Sequence, residues 1–189
     1  MMSALKSSDG FLQRCPDIPI IESSNTWWIA KVKSRQEKAF AVNLIEKNIE
    51  FYLPCYTHSA QRTDCKSTRK SIVPLFPSYV PFALSGEPWF LLQSARVSTI
   101  IPVKAQARFK RQLNQIYLIN ERKLHVQPDT GVQYECGDVV ELIDGPLNGL
   151  TGRIVNCKGN NYLLVDVDGL GGAIVTIDKN SVVKSKPAC

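Results

Sequence analysis

The 189-residue chain has no long uninterrupted apolar run. Its most apolar stretch, Ile72 to Leu84, is broken by Pro74, Pro77 and Pro81 and is too short to cross a bilayer. The opening residues, MMSALKSSDGFLQR, lack the apolar centre of a secretory signal, so a cytoplasmic location is expected. Six cysteines are present without a single C-x-x-C pair, which reads as free thiols in a reducing compartment. Cys55, His58 and Cys65 offer three ligands where a structural zinc takes four in paired short spacings, so neither metal nor cofactor is expected. There is no Gly-rich phosphate loop. The two histidines, His58 and His125, have no recognisable Ser–His–Asp or Cys–His partner spacing, and catalysis is not expected.

What is present is unevenly charged. Residues 1–133 hold 18 Lys/Arg against 10 Asp/Glu, whereas residues 134–184 hold 4 against 7. A basic front and a mildly acidic back point to two modules, with any polyanion held by the front one. Residues 1–25 are polar and aperiodic and read as a flexible leader. TWWIAKV (26–32) reads as a strand, in which Trp27 and Trp28 alternate so that one of them is core. RQEKAFAVNLIEKN (35–48) reads as a helix with Ser34 as N-cap, Glu37 at the capping-box position, and Phe40, Ala41, Leu44, Ile45 and Asn48 on one stripe. Further strands are expected at 49–57, at 69–82 and at 97–103, a short helix after Gly86, and a longer helix at 104–123 with Phe109, Leu113, Ile116 and Ile119 or Tyr117 facing in. The order βαββαβα implies an α+β sandwich, an antiparallel sheet backed by helices, over 26–123. A linker, 124–136, follows. Residues 137–185 carry short strands between Gly, Asn and Pro turns, alternating clearly at Leu163/Val165/Val167 and Ala173/Val175/Ile177, and read as a small all-β barrel.

Two segments carry a family resemblance. GDVVELIDGPLNGLTGRI (137–154), with Gly137, Asp138, Gly145, Pro146, Gly149 and Gly152, resembles the KOW motif, an SH3-like barrel found in NusG-type transcription factors and some ribosomal proteins. WWIAKVKSRQEKAFAVNLIEKNIEFYLP, followed by VPLFPSYVPF, is similar to the NGN domain of the NusG family, and more to its specialised RfaH and UpxY-type paralogues than to housekeeping NusG. The resemblance implies a monomeric, non-enzymatic, operon-specific elongation and antitermination factor. It implies docking on the clamp helices of RNA polymerase through Trp28, Phe76, Pro77, Tyr79 and Phe82. Rigid prolines that present aromatic rings suit such anchors physically. Where relatives read Tyr-Val-Phe-Val, this chain reads Tyr79-Val80-Pro81-Phe82, and a strand end or bulge is expected at Pro81.

The same resemblance places a basic face over the non-template DNA strand. Lys33, Arg35 and Lys38 surround the start of the first helix, with Gln36 able to read a base edge. Arg62, Lys66, Arg69 and Lys70 would lie on a projecting hairpin. Ribosomal protein S10 or Rho are the partners it implies for the barrel. The Phe-Gly-Arg that contributes to that contact in the family is here Leu170-Gly171-Gly172. A ribosome-associated RNA-binding KOW protein is the alternative, disfavoured by the net acidity of residues 134–184.

Overall fold

The computed structural model describes residues 6–7, 10–61, 68–129, 135–142, 149–157, 160–176 and 183–185. They form a mixed α/β fold with two α-helices and several antiparallel sheets. The chain divides into two compact units, residues 1–18 with 22–106, and residues 19–21 with 107–189. No described helix is long and apolar enough to cross a membrane.

In the first unit, β1 (Lys6–Ser7) and β2 (Gly10–Phe11) pair with each other. A five-stranded sheet is built from β3 (Arg14–Cys15), β4 (Thr26–Val32), β5 (Glu50–Tyr52), β8 (Tyr79–Leu84) and β9 (Val97–Pro102), in the order β3-β5-β8-β4-β9. Between them β6 (Cys55–Gln61) and β7 (Thr68–Pro74) form a separate hairpin. One face of the sheet, with Ala30, Val32, Val80 and Phe82, shares an apolar cluster with Phe40, Ala41 and Leu44 of α1 (Glu37–Glu46). Phe40 meets Phe82 edge to face, with ring centroids 6.5 Å apart.

Helix α1 starts later than the sequence pattern implies. Gln36 is its N-cap, without a side-chain cap bond, because Arg35 takes a left-handed φ of 62° and breaks the helical path. Ser34 is therefore not the cap, and Glu37 is not the third residue of a capping box. At the other end Asn48, at φ 53°, turns the chain: its N–H donates to Ile45 O and that of Ile49 to Leu44 O. Asn tolerates this left-handed C′ position better than most residues do.

The expected single strand over 69–82 is two strands, β7 and β8, separated by a turn at 75–78 in which Ser78 has φ 67°. The strand expected at 49–57 breaks likewise at Leu53-Pro54. Pro81 neither ends nor bulges its strand. β8 is the middle strand of the five, and its register with β4 runs unbroken through Trp28↔Phe82, Ile29↔Pro81 and Ala30↔Val80. The ladder to β5 stops at Phe51↔Phe82, one residue short of Pro81, so the missing donor interrupts no pairing there.

Residues 10–25 are not a free leader. β3 covers the outer edge of β5, and the Arg14 side chain is buried. Its guanidinium donates to the Glu50 carboxylate, to Phe51 O at 2.9 Å and to Ile18 O at 3.2 Å, and it lies 5.5 Å from the Trp27 ring centroid. Glu50, also buried, accepts further bonds from Ser23 Oγ at 2.8 Å and Asn25 Nδ2 at 3.0 Å. A buried ion pair survives only when its remaining donors and acceptors are met in this way.

In the second unit, β10 (Val126–Pro128), β11 (Glu135–Leu142), β12 (Thr151–Cys157), β13 (Asn160–Val167), β14 (Gly171–Thr176) and β15 (Val183–Ser185) form one antiparallel sheet in the order β10-β14-β13-β12-β11-β15. Leu163, Val165, Val167, Ala173 and Val175 are buried, as their alternation implies, while Ile177 lies outside the described residues. Part of the expected linker is structured, because Val126 is buried and β10 pairs with β14. Helix α2 (Gln106–Glu121) buries Phe109, Leu113, Ile116 and both Tyr117 and Ile119. Its polar face is fastened to the sheet: Gln112 and the Asp168 side chain and backbone bond reciprocally at the β13–β14 turn, and Gln115 donates to Thr151 Oγ1, at the start of β12, at 2.6 Å.

Candidate functional site

Two clefts open among the described residues of the first unit. One, of about 500 Å³, runs along Cys15, Ser23, Asn25, Asn48 and Glu50. Its main charged group is already committed, since the Glu50 carboxylate is held by Arg14, Ser23 and Asn25. The other, of about 410 Å³, opens at the start of α1 and is lined by Ser34, Arg35, Glu37, Lys38, Tyr56, His58, Val73, Pro74, Pro77 and Ser78. It joins cations, hydroxyls and aromatic rings, and is the candidate site.

Its walls are braced by polar contacts that reach across the sequence. Glu37, buried at the first position of α1, accepts the Ser78 N–H at 2.8 Å, and the Val32 N–H donates to Ser78 O at 2.8 Å. These two bonds hold the 75–78 turn in its left-handed conformation. Lys38 Nζ donates to Ile72 O at 2.6 Å and ties α1 to β7. On β6, Tyr56 and His58 are two residues apart and so share a face, with ring centroids 6.4 Å apart at 78°. Two non-glycine residues in the left-handed region, Arg35 and Ser78, therefore line one cleft. Strain of this kind gathers at functional sites.

Of the expected DNA-facing residues, Lys33 and Arg35 are exposed, Gln36 and Lys38 are half-buried, and Arg35 and Lys38 line the cleft. Lys70 is exposed on β7. Arg62 and Lys66, and the side chain of Arg69, lie outside the described residues. Tyr56 had no role in the sequence reading and His58 entered it only as a discounted zinc ligand and catalytic histidine, although their i, i+2 spacing in CYTHS placed them on one strand face.

The expected polymerase-facing residues separate by depth. Phe82 is fully buried and Phe76 is 3% exposed, so both pack inward instead of presenting a ring. Pro77 is exposed, and Tyr79 and Trp28 are half-buried. A further aromatic surface lies on the 3-10 turn Trp89–Gln93, shorter than the helix expected there. Trp89, Phe90 and Leu92 are each more than 40% exposed, and Trp89 meets Trp28 edge to face at 5.7 Å. The sequence marked a short helix here but not a surface, because three apolar residues in five look like core in a sequence.

Of the expected KOW residues, Gly137 and Asp138 fall in β11 with side chains outside the described set, and Gly145 and Pro146 lie outside the described residues. Gly149 has φ 83°. Gly152 is packed: a Cβ there would stand 2.4 Å from Leu164 O. No metal site assembles among the described residues. Burial pushes the Cys55 thiol up to about 12, which leaves it protonated and a poor metal ligand near neutral pH.

No curated protein matches the chain. Residues 25–116 match the family model NusG, described as transcription termination factor nusG.

Proposed function

We propose, from the NusG-family domain over residues 25–116, that the protein is a specialised, operon-restricted elongation factor that suppresses pausing and termination. The domain itself supports a transcription elongation or termination factor. The narrower reading is supported by the chemistry of the first unit, where a basic cleft entrance and surface aromatics occur on one module. In this reading the first unit docks on the clamp helices of RNA polymerase through Trp28, Pro77 and Tyr79, while Phe76 and Phe82 belong to the unit's core. Lys33, Arg35, Gln36, Lys38 and the cations of the β6–β7 hairpin face the non-template strand. The factor is non-enzymatic, monomeric and cytoplasmic. It suppresses pausing by binding the closed clamp better than the open one, since a ligand shifts an equilibrium only by its differential affinity.

The second unit is read as a KOW domain of SH3-like form. The close approach of Gly152 to β13 supports a tightly packed hairpin there. With Leu170 in place of an aromatic and Gly172 in place of an arginine, contact with ribosomal protein S10 or Rho would rest on other residues.

The observation that carries the polymerase contact is the family match over the unit that exposes Pro77 and leaves Tyr79 half-buried beside it. Binding of the full chain to core RNA polymerase tests it. Tyr79→Ala should weaken binding by about 2 kcal/mol, roughly thirty-fold, if the ring is an anchor. Wild-type affinity in a folded Tyr79→Ala variant, with loss of binding in Trp89→Ala, would move the contact to the exposed 3-10 turn. Unchanged binding in both would remove polymerase docking from this side of the unit.

A further inference from the structure

We propose that the cleft walled by Tyr56 and His58 takes one unstacked nucleotide of a single DNA strand, its base in the aromatic corner and its phosphate on Arg35. The proposal rests on the DNA-facing reading above and gives it a binding pocket.

Three features point to a nucleotide. First, the two rings stand nearly perpendicular, 78° apart at 6.4 Å. A flat base can lie on one ring while its edge meets the other. Every base has a π-face, so this contact tolerates sequence and demands only that the base be unstacked. Second, the rest of the lining is apolar and rigid. Val73 stands directly across the strand pair from Tyr56, Pro74 and Pro77 add two rings with fixed backbones, and the turn carrying Pro77 is fixed by the Glu37–Ser78 bond. A rigid slot loses little conformational freedom when it is filled. Third, Arg35 lines the same cleft, and Lys38 brings a second positive charge. Its volume, about 410 Å³, falls in the range of small-ligand clefts, enough for one base with its sugar but too small for a duplex.

The left-handed backbone of Arg35 gains a reason here. A helix continued back through residue 35 would carry that side chain around with it. The φ of 62° ends the helix at Gln36 and leaves Arg35 on the cleft rim.

The test uses the full chain and labelled homopolymeric single strands, oligo-dT, oligo-dA and oligo-dC, with anisotropy read at two salt concentrations. Tyr56→Ala and His58→Ala should each weaken binding roughly ten-fold, as expected for one lost base stack, with an unchanged salt slope. Tyr56→Phe should bind as wild type, because the ring is kept. Lys33→Ala should instead reduce the slope of log affinity against log salt by about 0.7. Should Tyr56→Ala misfold, the exposed His58→Ala decides. Wild-type affinity in folded Tyr56→Ala and His58→Ala, with the Lys33→Ala effect intact, overturns the pocket and leaves the basic face standing. Absence of binding to any single strand at low salt overturns both. Tighter binding of oligo-rU than of oligo-dT, with the same dependence on Tyr56, overturns the assignment to DNA. Equal loss on duplex DNA in Tyr56→Ala would show that the ring does not act on an unstacked base.

Discussion

Arg14→Met is expected to destabilise the first unit by about 3–5 kcal/mol, the usual effect of removing one partner from a buried ion pair. The variant keeps the apolar stem but leaves the buried Glu50 carboxylate with only Ser23 and Asn25 as partners, and it removes the donors that meet Phe51 O and Ile18 O. Against a total stability of about 5–15 kcal/mol, this is a large share. All three tryptophans, Trp27, Trp28 and Trp89, belong to the first unit, so denaturation followed by tryptophan fluorescence reports on that unit alone. The double variant Arg14→Met/Glu50→Leu should recover much of the loss, since a buried pair replaced whole by apolar groups is often neutral. A denaturation midpoint unchanged in Arg14→Met would mean that the Arg14–Glu50 pair contributes nothing to the unit's stability.

Phe82→Ala is the second large effect, about 3–5 kcal/mol in the same assay. The ring is fully buried between α1 and the sheet and meets Phe40 edge to face. The substitution leaves a cavity in the middle of the apolar cluster, on the central strand, where neighbouring strands on both sides limit collapse. Phe82→Leu, closer in volume, should lose less than about 1.5 kcal/mol. Under conditions where Phe82→Ala is still folded, its affinity for polymerase should match the wild type. A variant of normal stability with weakened polymerase binding would instead show that the ring faces the partner.

The sequence carried the parts of this fold that depend on periodicity. TWWIAKV, the α1 stripe Phe40–Ala41–Leu44, the inward face of α2 and the alternation in β13 and β14 all follow from side chains that repeat at the period of their element. What escaped was set by contacts between distant residues. Arg14 and Glu50 are 36 positions apart and both charged, so nothing local marks either as buried. The start of α1 was misplaced because the preference for Ser34 as a cap lost to a left-handed Arg35, around which the Gln36 N–H donates back to Lys33 O. Pro81 read as a strand breaker because the pattern shows the missing N–H but not where the neighbouring ladder ends. The cleft was half legible: its cations cluster in KSRQEK, whereas Tyr56, His58 and Pro77 reach it only through the β6–β7 hairpin and the 75–78 turn.

Gly152 has a consequence for how freely this chain can vary. A methyl group there would meet Leu164 O at 2.4 Å and the Leu163 side chain at 2.9 Å, and a backbone oxygen inside a paired sheet cannot step aside. Gly149 and Gly171 have left-handed φ values of 83° and 114° but nothing within 4 Å of an added Cβ. A library randomised at these three positions and sorted for folded protein should therefore diverge. At 149 asparagine and aspartate should persist beside glycine, since they tolerate left-handed backbone best. At 152 glycine alone should survive, and recovery of alanine there would mean that β12 and β13 can part without loss. Drift at that position would thus be halted by the crowding of one strand against the next, whatever partner the second unit serves.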